Sequence, residues 1–178
     1  MRVLVTGGVR CGKSRHAETL LADAAAVTYV APGPVPDPVA DPDWAARIDA
    51  HRAARPASWT TLETGDVAAA LTATSGAVLV DCLGTWLTRL LDDHGLWDAP
   101  SSEIDAVVGA ATGVLSAALG SLPADRDVVL VTNEVGWGVI PAHRSGRIFR
   151  DQLGRVNQAV AGVCDEVHLV VAGRVLRL

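Results

Sequence analysis

Eight residues near the start of the chain, 7–14, have the sequence GGVRCGKS and directly follow the apolar run RVLVT. This spacing fits GxxxxGK[ST], in which glycines let successive backbone N–H groups converge on phosphate oxygens. The N-terminus of the following helix adds partial positive charge, Lys13 reaches the outer phosphates, and the Ser14 hydroxyl can ligate Mg²⁺. We therefore predict a nucleoside triphosphate site. Its predicted phosphate-binding residues are Gly7, Gly8, Val9, Arg10, Cys11, Gly12, Lys13 and Ser14.

The use of lysine supports this interpretation. The chain has 178 residues and 15 Lys and Arg residues together, yet Lys13 is its single lysine. A compact ammonium fits between phosphate oxygens inside such a loop, whereas a planar guanidinium is too wide. The chain uses arginine for every other basic residue of the Lys and Arg type, so the lysine at position 13 indicates that arginine would not function there.

Three further polar residues follow apolar runs. Asp81 ends the run AVLVD, where P-loop enzymes place the acid of the magnesium shell, although strand ends also carry capping aspartates. Asn133 and Glu134 follow another run and could position an acceptor hydroxyl or remove its proton. The alternative is turn formation, which Asn and Gly favour.

The stretch RIDAHRAARPASWTTLE sets His51 among Arg47, Arg52 and Arg55, with Glu63 downstream. Arginines neutralise a phosphate, and a neutral imidazole can attack phosphorus, so this cluster suits a covalent nucleotide transfer. An ordinary surface histidine is the alternative. The other four histidines, His16, His94, His143 and His168, are interpreted as residues of helix faces, loops or a strand.

A second basic stretch, HRSGRIFRDQLGRVNQ, carries Arg144, Arg147, Arg150 and Arg155. Spacing of three places the first three on one helix face. They form either a solvated face or an edge that grips phosphate.

Five short apolar runs predict buried, mostly parallel strands with helices on both faces. They are RVLVT from Arg2, VTYVA from Val27, AVLVD from Ala77, DVVLVT from Asp127 and EVHLVVA from Glu166. Helices are predicted over residues 13–24 and 102–119, the latter opening with a Ser102–Asp105 cap. Another helix is marked by Ile148, Val156, Val160 and Val163, and the chain ends in a hairpin turning at Gly173. These patterns indicate one α/β domain over residues 1–178.

Five prolines fall within APGPVPDPVADPDW, after the second run. Proline density excludes a helix or a central strand, so we predict a long surface loop near the carboxyl ends of the strands, where ligands bind in this fold class. The segment is either part of the site or a stiff connection. DCLGTWLTRLL, with Trp86 and Leu90, is equally compatible with core and with a subunit interface.

Composition limits the partners. A net charge of −5 and a pI near 5.4 argue against nucleic acid and anionic membranes as partners. We expect no membrane span, because no run is long enough, and no signal peptide. Three widely spaced cysteines without a CxxC pair indicate a reducing compartment, and we expect a cytoplasmic location.

Taken in order, these motifs resemble the bifunctional adenosylcobinamide kinase and adenosylcobinamide-phosphate guanylyltransferase family of cobalamin biosynthesis. The resemblance covers most of the chain. It lies in VTGGVRCGKSRHAE, RIDAHRAARPASWTTLE, LVDCLGTWLTRLL and VTNEVGWGVIP followed by GRIFRDQLGRVNQ and DEVHLVVAG. The P-loop alone is shared by many families, whereas the HRxxRPxxWxTxE string and NEVGxG followed by FRDxxGxxNQ are far more specific.

The resemblance implies a RecA-like P-loop NTPase fold, a homo-oligomer, and two reactions. ATP or GTP phosphorylates the hydroxyl of the aminopropanol arm of adenosylcobinamide. GTP then transfers GMP to a histidine, here His51, and the cobinamide phosphate takes the GMP. Catalytic roles therefore fall to His51 and Lys13, and Ser14 and Asp81 hold Mg²⁺. The remaining implied nucleotide contacts are Ala31, Pro32, Gly33, Arg52, Ala53, Ala54, Arg55, Glu63 and Asp81.

This sequence departs from the family pattern at three places. Cys11 stands where serine is usual, the proline-rich segment before His51 is longer, and Ala142 replaces an acid after VIP. A plain P-loop kinase without a covalent step is the nearest alternative. A regulatory GTPase is excluded, because its guanine-reading Asn-Lys-x-Asp element needs a lysine that this chain lacks outside the P-loop.

Overall fold

The computed structural model describes residues 1–53 and 55–178, and side chains throughout these ranges except at Trp44 and His51. The strands are β1 (Arg2–Gly7), β2 (Val27–Ala31), β3 (Thr60–Glu63), β4 (Ala77–Asp81), β5 (Val128–Val131), β6 (Glu166–Val171) and β7 (Arg174–Arg177). The helices are α1 (Lys13–Leu20), α2 (Pro42–Ala53), α3 (Val67–Ala73), α4 (Leu83–Asp93), α5 (Ser101–Ser121) and α6 (Arg144–Ala161).

These strands form one sheet in the order β3-β2-β4-β5-β1-β6-β7. All pairs are parallel except β6 with β7, so the predicted C-terminal hairpin is confirmed. Its turn uses Ala172 and Gly173, both in the left-handed region, with φ of 48° and 76°. The five predicted strands are β1, β2, β4, β5 and β6.

Helices cover both faces of the sheet, as predicted. Because side chains alternate along a strand, Val3 and Val5 of β1 point to one face and pack with Ala17 of α1, whereas Leu4 points to the other. That second face packs against α3, α4, α5 and α6. The layers place the carboxyl ends of β1, β2, β4 and β5 along a single edge, where the candidate site lies.

Helix α5 requires two corrections. It begins at Ser101 after Pro100, with no side-chain cap, so the predicted Ser102–Asp105 cap is wrong. Asp105 instead pairs with Arg155 of α6 at 2.6 Å. Helix α5 has 21 residues and a mean hydropathy of 1.5, so by length and composition it could cross a membrane. The expectation that no run in the chain is long enough to do so is therefore wrong. Ile104, Leu115 and other residues of one face are buried in the core, whereas Val114 is 61% exposed.

Four elements were not predicted: α2, β3, α3 and α4. Helix α2 begins at Pro42, so the exclusion of helix from the whole proline-rich segment is wrong at its end. Proline is compatible with the first helical position because the N–H it lacks has no partner there. Trp86 of α4 is 5% exposed, which decides the open question for that residue in favour of core.

Candidate nucleotide-binding site

The P-loop forms the turn between β1 and α1. Gly12 precedes the helix in the left-handed region, with φ of 100°. At Gly7, a Cβ would lie 2.4 Å from the Val170 carbonyl oxygen and 2.7 Å from Cys11 Sγ. The β6–β7 hairpin supports the loop, because the Gly173 N–H donates to the Cys11 carbonyl at 2.8 Å. Glycine is therefore required at these positions by close backbone approach and by conformation.

We expect Gly7→Ala to destabilise the protein by about 1–3 kcal/mol, the usual cost of overpacking, and to weaken nucleotide binding. The obstructing atom is a backbone carbonyl of β6, which has little freedom to move. Gly8→Ala is the matched control for folding, since a Cβ at Gly8 meets nothing within 4 Å. Urea unfolding of the two variants checks the prediction, and equal stabilities would contradict it.

Lys13 is 7% exposed, and its ammonium donates to the Gly8 carbonyl at 3.2 Å. The loop thus holds its lysine folded back over its own backbone, at the first turn of α1. Ser14 follows, half-buried. This arrangement directs an ammonium, a hydroxyl and the helix N-terminus into one space, as an anion site requires.

That space is a cavity of about 330 Å³. It brings together predicted groups from five separate elements of the chain. The predicted residues that line it are Val9, Lys13, Ser14, Ala31, Gly33, Arg47, Arg52, Arg55, Glu63, Asp81 and Asn133. Gly7, Gly8, Arg10, Cys11, Gly12, Pro32 and Ala53 are absent from the lining. The side chain of His51 and the whole of Ala54 lie outside the described part of the chain, although the His51 backbone belongs to α2.

A buried tyrosine links the phosphate side of the cavity to the arginines. The Tyr29 hydroxyl of β2 donates to Asp81 Oδ2 at 3.2 Å, and the Arg55 guanidinium carbon lies 3.6 Å from the centre of the Tyr29 ring. Burial, and then the charge of Asp81, raise the pKa of Tyr29 above its usual range, so the hydroxyl stays a donor. Tyr29 therefore orients the Asp81 carboxylate and supports the arginine.

The arginines contributed by α2 and the residues after it are positioned by β3. Arg52 donates to Glu63 Oε1 at 2.5 Å and 3.2 Å, and to Asp49 at 3.2 Å. Arg55 donates from Nη1 to the Thr61 hydroxyl at 3.2 Å. Arg55 Nε is buried and has no hydrogen-bond partner among the described residues. A buried unsatisfied donor beside a cavity is a ready partner for an anionic group.

Glu18 of α1 interacts electrostatically with Asp81 and with Arg55. Burial raises the pKa of the Glu18 carboxyl, and the charge of Asp81 raises it further. Glu18 lies four residues after Ser14 on α1, so the two share a helix face. Sequence reasoning missed Glu18, although this i, i+4 spacing from the P-loop serine was visible.

Several residues that line the cavity were missed as well. Thr85 and Thr88 of α4 line it at a spacing of three residues, and Phe149 of α6 lines it from the far side. Helical spacing could have paired the threonines, but α4 itself was not predicted. Phe149 carried no local signal, because only the packing of α6 against α4 turns it toward the cavity.

Asn133 and Glu134 have different roles. Asn133 lines the cavity, whereas Glu134 accepts a hydrogen bond from the Gly136 N–H at 2.7 Å. The Asn157 side chain donates to the Asn133 carbonyl at 3.1 Å and holds this corner. Turn formation thus describes Glu134, and Asn133 is the one placed for a ligand.

The arginines of α6 are not among the residues that line the cavity, so their proposed phosphate-gripping role stays a prediction. Arg144 donates to the carbonyls of Trp97 and Ala99. Arg147 and Arg150 donate to four carbonyls of the loop that precedes α6. These three side chains do more than face solvent, because each donates hydrogen bonds to backbone carbonyl groups.

Two histidines interpreted as ordinary form a hydrogen-bonded chain beneath the P-loop helix. His16 Nε2 lies 2.9 Å from His168 Nδ1, and His168 Nε2 lies 2.8 Å from Glu166 Oε2. His168 is 1% exposed. Burial lowers the pKa of His16, and the neighbouring His168 and Arg177 lower it further. His16 is therefore neutral in the folded protein at a pH where the unfolded chain binds a proton.

We expect the free energy of unfolding to fall as the pH drops from about 7.5 to about 5.5, through the ordinary histidine pKa of about 6.5. The sign follows because a lowered folded-state pKa gives stability that is present above the unfolded value and lost below it. His16→Gln should show a shallower decline in urea unfolding over the same range. Equal slopes in the two proteins would contradict the role of His16. The pKa of Glu166 is also lowered, but its effect on stability falls at a pH below the ordinary glutamate pKa. It therefore does not contribute to the change between about pH 7.5 and about pH 5.5.

No group of three or more His, Cys, Asp or Glu side chains in the described chain is arranged to hold a metal by itself. The three cysteines, Cys11, Cys82 and Cys164, are all free thiols. Any cation at this site would therefore need ligands from a bound nucleotide as well as from the protein.

Comparison with known proteins agrees with the geometry. Residues 3–178 match the model of the family described as cobinamide kinase / cobinamide phosphate guanyltransferase. The bifunctional adenosylcobalamin biosynthesis protein CobU of Salmonella typhimurium is 43% identical over 183 residues, covering 97% of each chain. The corresponding protein CobP of Pseudomonas aeruginosa is 42% identical over 179 residues, covering 97% of this chain and 94% of that protein.

A solved structure supports the fold. An ATPase from the type III secretion system of pathogenic bacteria superposes with a TM-score of 0.54 at 10% identity, over 94% of this chain and 50% of that chain. At this identity the likeness concerns the P-loop NTPase fold alone. The family match spans nearly the whole chain, and the phosphate loop and cavity described above lie within it. The chain therefore belongs to the cobinamide kinase / cobinamide phosphate guanyltransferase family, the bifunctional transferases of cobalamin biosynthesis.

Proposed function

We propose that this protein phosphorylates adenosylcobinamide with ATP or GTP and then transfers GMP from GTP, through a guanylylated His51, to give adenosylcobinamide-GDP. One observation carries the proposal. A single cavity joins Lys13 and Ser14 of the phosphate loop to Arg47 and Arg52 of α2, the helix whose backbone includes His51. Phosphate-binding groups and the segment with the nucleophile thus share one space.

For the kinase step, the P-loop N–H groups and Lys13 bind the outer phosphates, and the acceptor hydroxyl enters beside Asn133. The hydroxyl oxygen forms a bond to the γ-phosphorus while the bond to the β–γ bridging oxygen breaks. The nucleoside diphosphate leaves with that electron pair, and the hydroxyl proton passes to water. Little covalent chemistry falls to the protein, so positioning and charge neutralisation provide the acceleration. Asn133 is held in place by Asn157, as such a role requires.

Mg²⁺ fits the donors present. Ser14 and Asp81 both line the cavity and offer a hydroxyl and a carboxylate. Mg²⁺ takes one or two protein oxygens together with phosphates and water. Burial, and then the charge of Asp81, raise the pKa of the nearby Glu18 carboxyl. When bound, the ion would neutralise phosphate charge. Ser14 and Asp81 would hold it.

In the nucleotidyl step, an imidazole nitrogen of His51 attacks the α-phosphorus of GTP and pyrophosphate leaves. A phosphate oxygen of the cobinamide phosphate then attacks the same phosphorus, and the nitrogen leaves with its electron pair. Arg47, Arg52 and Arg55 neutralise the anion during both displacements. A histidine relay divides one transfer between two anions into two in-line steps.

The proposal is tested by incubating the protein with Mg²⁺ and GTP labelled at the α-phosphate, denaturing it, and counting label on the chain. Acid-labile and alkali-stable label is the expected result, as for a phosphorus–nitrogen bond. GTP labelled at the γ-phosphate should leave no such label. A protein that binds GTP without retaining α-label would contradict the covalent step and favour a plain P-loop kinase.

We further propose a homo-oligomer and a cytoplasmic location. The edge strand β7 exposes Val175 and Leu176, and Leu178 extends this apolar surface. Exposed apolar edges are typical of surfaces that pair with another chain. Sedimentation velocity tests the oligomer, and a monomer at micromolar concentration would contradict it. The free thiols and the acidic net charge support the location.

A further inference from the structure

The loop between β5 and α6, residues 134–142, presents an unusual surface, and we call it the Trp137 loop. Three of its large apolar side chains face solvent: Trp137 is 75% exposed, Val139 93% and Ile140 75%. Apolar residues that stand so far out of a surface, and together, mark binding sites rather than packing.

The Trp137 loop is held in this form by charged side chains. Arg150 donates to the Gly136 and Gly138 carbonyls at 3.0 Å and 3.1 Å, and Arg147 donates to the Pro141 and Ala142 carbonyls at 3.0 Å and 2.7 Å. Glu134 accepts from the Gly136 N–H at 2.7 Å. Bonds to charged groups are stronger than neutral ones, so the apolar side chains are displayed on a braced backbone.

The loop is continuous with the cavity. Asn133, directly before the loop, and Val135 within it line the cavity. Phe149 also lines the cavity and immediately precedes Arg150, which braces the loop. Val9 and Val35 also line the cavity and are 67% and 74% exposed. The cavity lining therefore includes exposed apolar residues of its own.

The size of the cavity limits what it can enclose. At about 330 Å³ it lies at the small end of the range for ligand sites, roughly 300–1,000 Å³. A nucleotide or one arm of a larger acceptor fills such a space. The acceptor named by the family is a cobinamide, a broad, flat corrin ring with amide arms at its rim. Its ring must lie outside the cavity while its reacting arm is inside.

We propose that Trp137, Val139 and Ile140 form a platform for the corrin ring of the acceptor, while the aminopropanol arm passes Val135 to reach Asn133. This inference rests on the proposed function. An indole offers a wide apolar face with little conformational entropy to lose, which suits a flat ring. The rim amides of the corrin stay in water around the platform.

The test compares the wild type with Trp137→Ala and with the double variant Val139→Ala/Ile140→Ala. We expect the KM for adenosylcobinamide to rise about tenfold or more in each, with the Kd for GTP and the α-label on the chain unchanged. Trp137→Phe, which keeps an aromatic face, should restore most of the affinity. Val114→Ala on α5, 61% exposed and outside the cavity lining, is the matched control.

Binding is also measured directly, by ultrafiltration with cobinamide followed by its own visible absorption. Unchanged acceptor KM and binding in the Trp137 variants, with a wild type that makes product, would overturn the platform alone. A wild type that binds GTP but neither binds nor phosphorylates cobinamide would overturn the proposed function and the platform with it. A changed sedimentation coefficient in Trp137→Ala, with unchanged acceptor binding, would instead assign the loop to an interface between copies.

Discussion

Replacing His51 by alanine is expected to abolish transfer of GMP while leaving phosphorylation of adenosylcobinamide within about threefold of the wild type. Under the proposed mechanism the imidazole carries the nucleotide between two acceptors, and no other residue of α2 offers a nucleophilic nitrogen of similar basicity. Losing a covalent nucleophile costs about 10⁴-fold or more in kcat. The kinase step uses Lys13, Ser14 and the P-loop backbone, which the substitution leaves in place.

The two activities are measured separately, by pyrophosphate release from GTP and by phosphate transfer to adenosylcobinamide. His94→Ala is the matched control, since His94 is exposed at the end of α4 and lies outside the cavity lining. If the His51→Ala protein still transferred GMP, His51 would not be the residue that carries the nucleotide. Loss of both activities together, in a variant with unchanged thermal unfolding, would show that His51 serves the shared nucleotide site instead.

Lys13→Met is expected to eliminate both activities, by about 10²–10³-fold or more in kcat/KM. The ammonium supplies positive charge directly to the phosphates, and Lys13 is the single lysine of the chain, so no neighbouring lysine can replace it. Methionine keeps the length of the buried stem, so folding should survive. Lys13→Arg is expected to fail as a rescue, because the wide guanidinium does not fit a loop closed over the Gly8 carbonyl.

Nucleotide affinity from isothermal titration and thermal unfolding of each variant separate binding from folding. A Lys13→Arg protein with near wild-type kcat/KM would contradict the steric argument while leaving the charge argument intact. A Lys13→Met protein with intact phosphate transfer would place the chemistry outside the P-loop.

Local patterns were sufficient for the central sheet. β1, β2, β4 and β5 are short, β-branched and mostly buried, and such runs specify strands with little help from their surroundings. β6 has the same apolar pattern, although only His168 and Val170 of it are buried. β3 was missed because Thr60–Glu63 is exposed along its length and has no apolar signature. It is a strand because β2 offers it a free edge, and that edge places Glu63 beside Arg52.

For the site, the sequence by itself determined the groups with intrinsic chemistry: the glycine loop, Lys13, Ser14, Asp81 and the arginines around His51. Tertiary structure decided which of them meet. It brought Arg47, Arg52 and Arg55 to the cavity and kept Arg147 and Arg150 away from it, bound to loop carbonyls. The two groups of arginines look alike in the sequence. The spacing of arginines predicts which helix face they share, but not what that face packs against. Which group a charged side chain contacts depends on how the elements pack at the edge of the sheet, and a local sequence pattern does not contain that information.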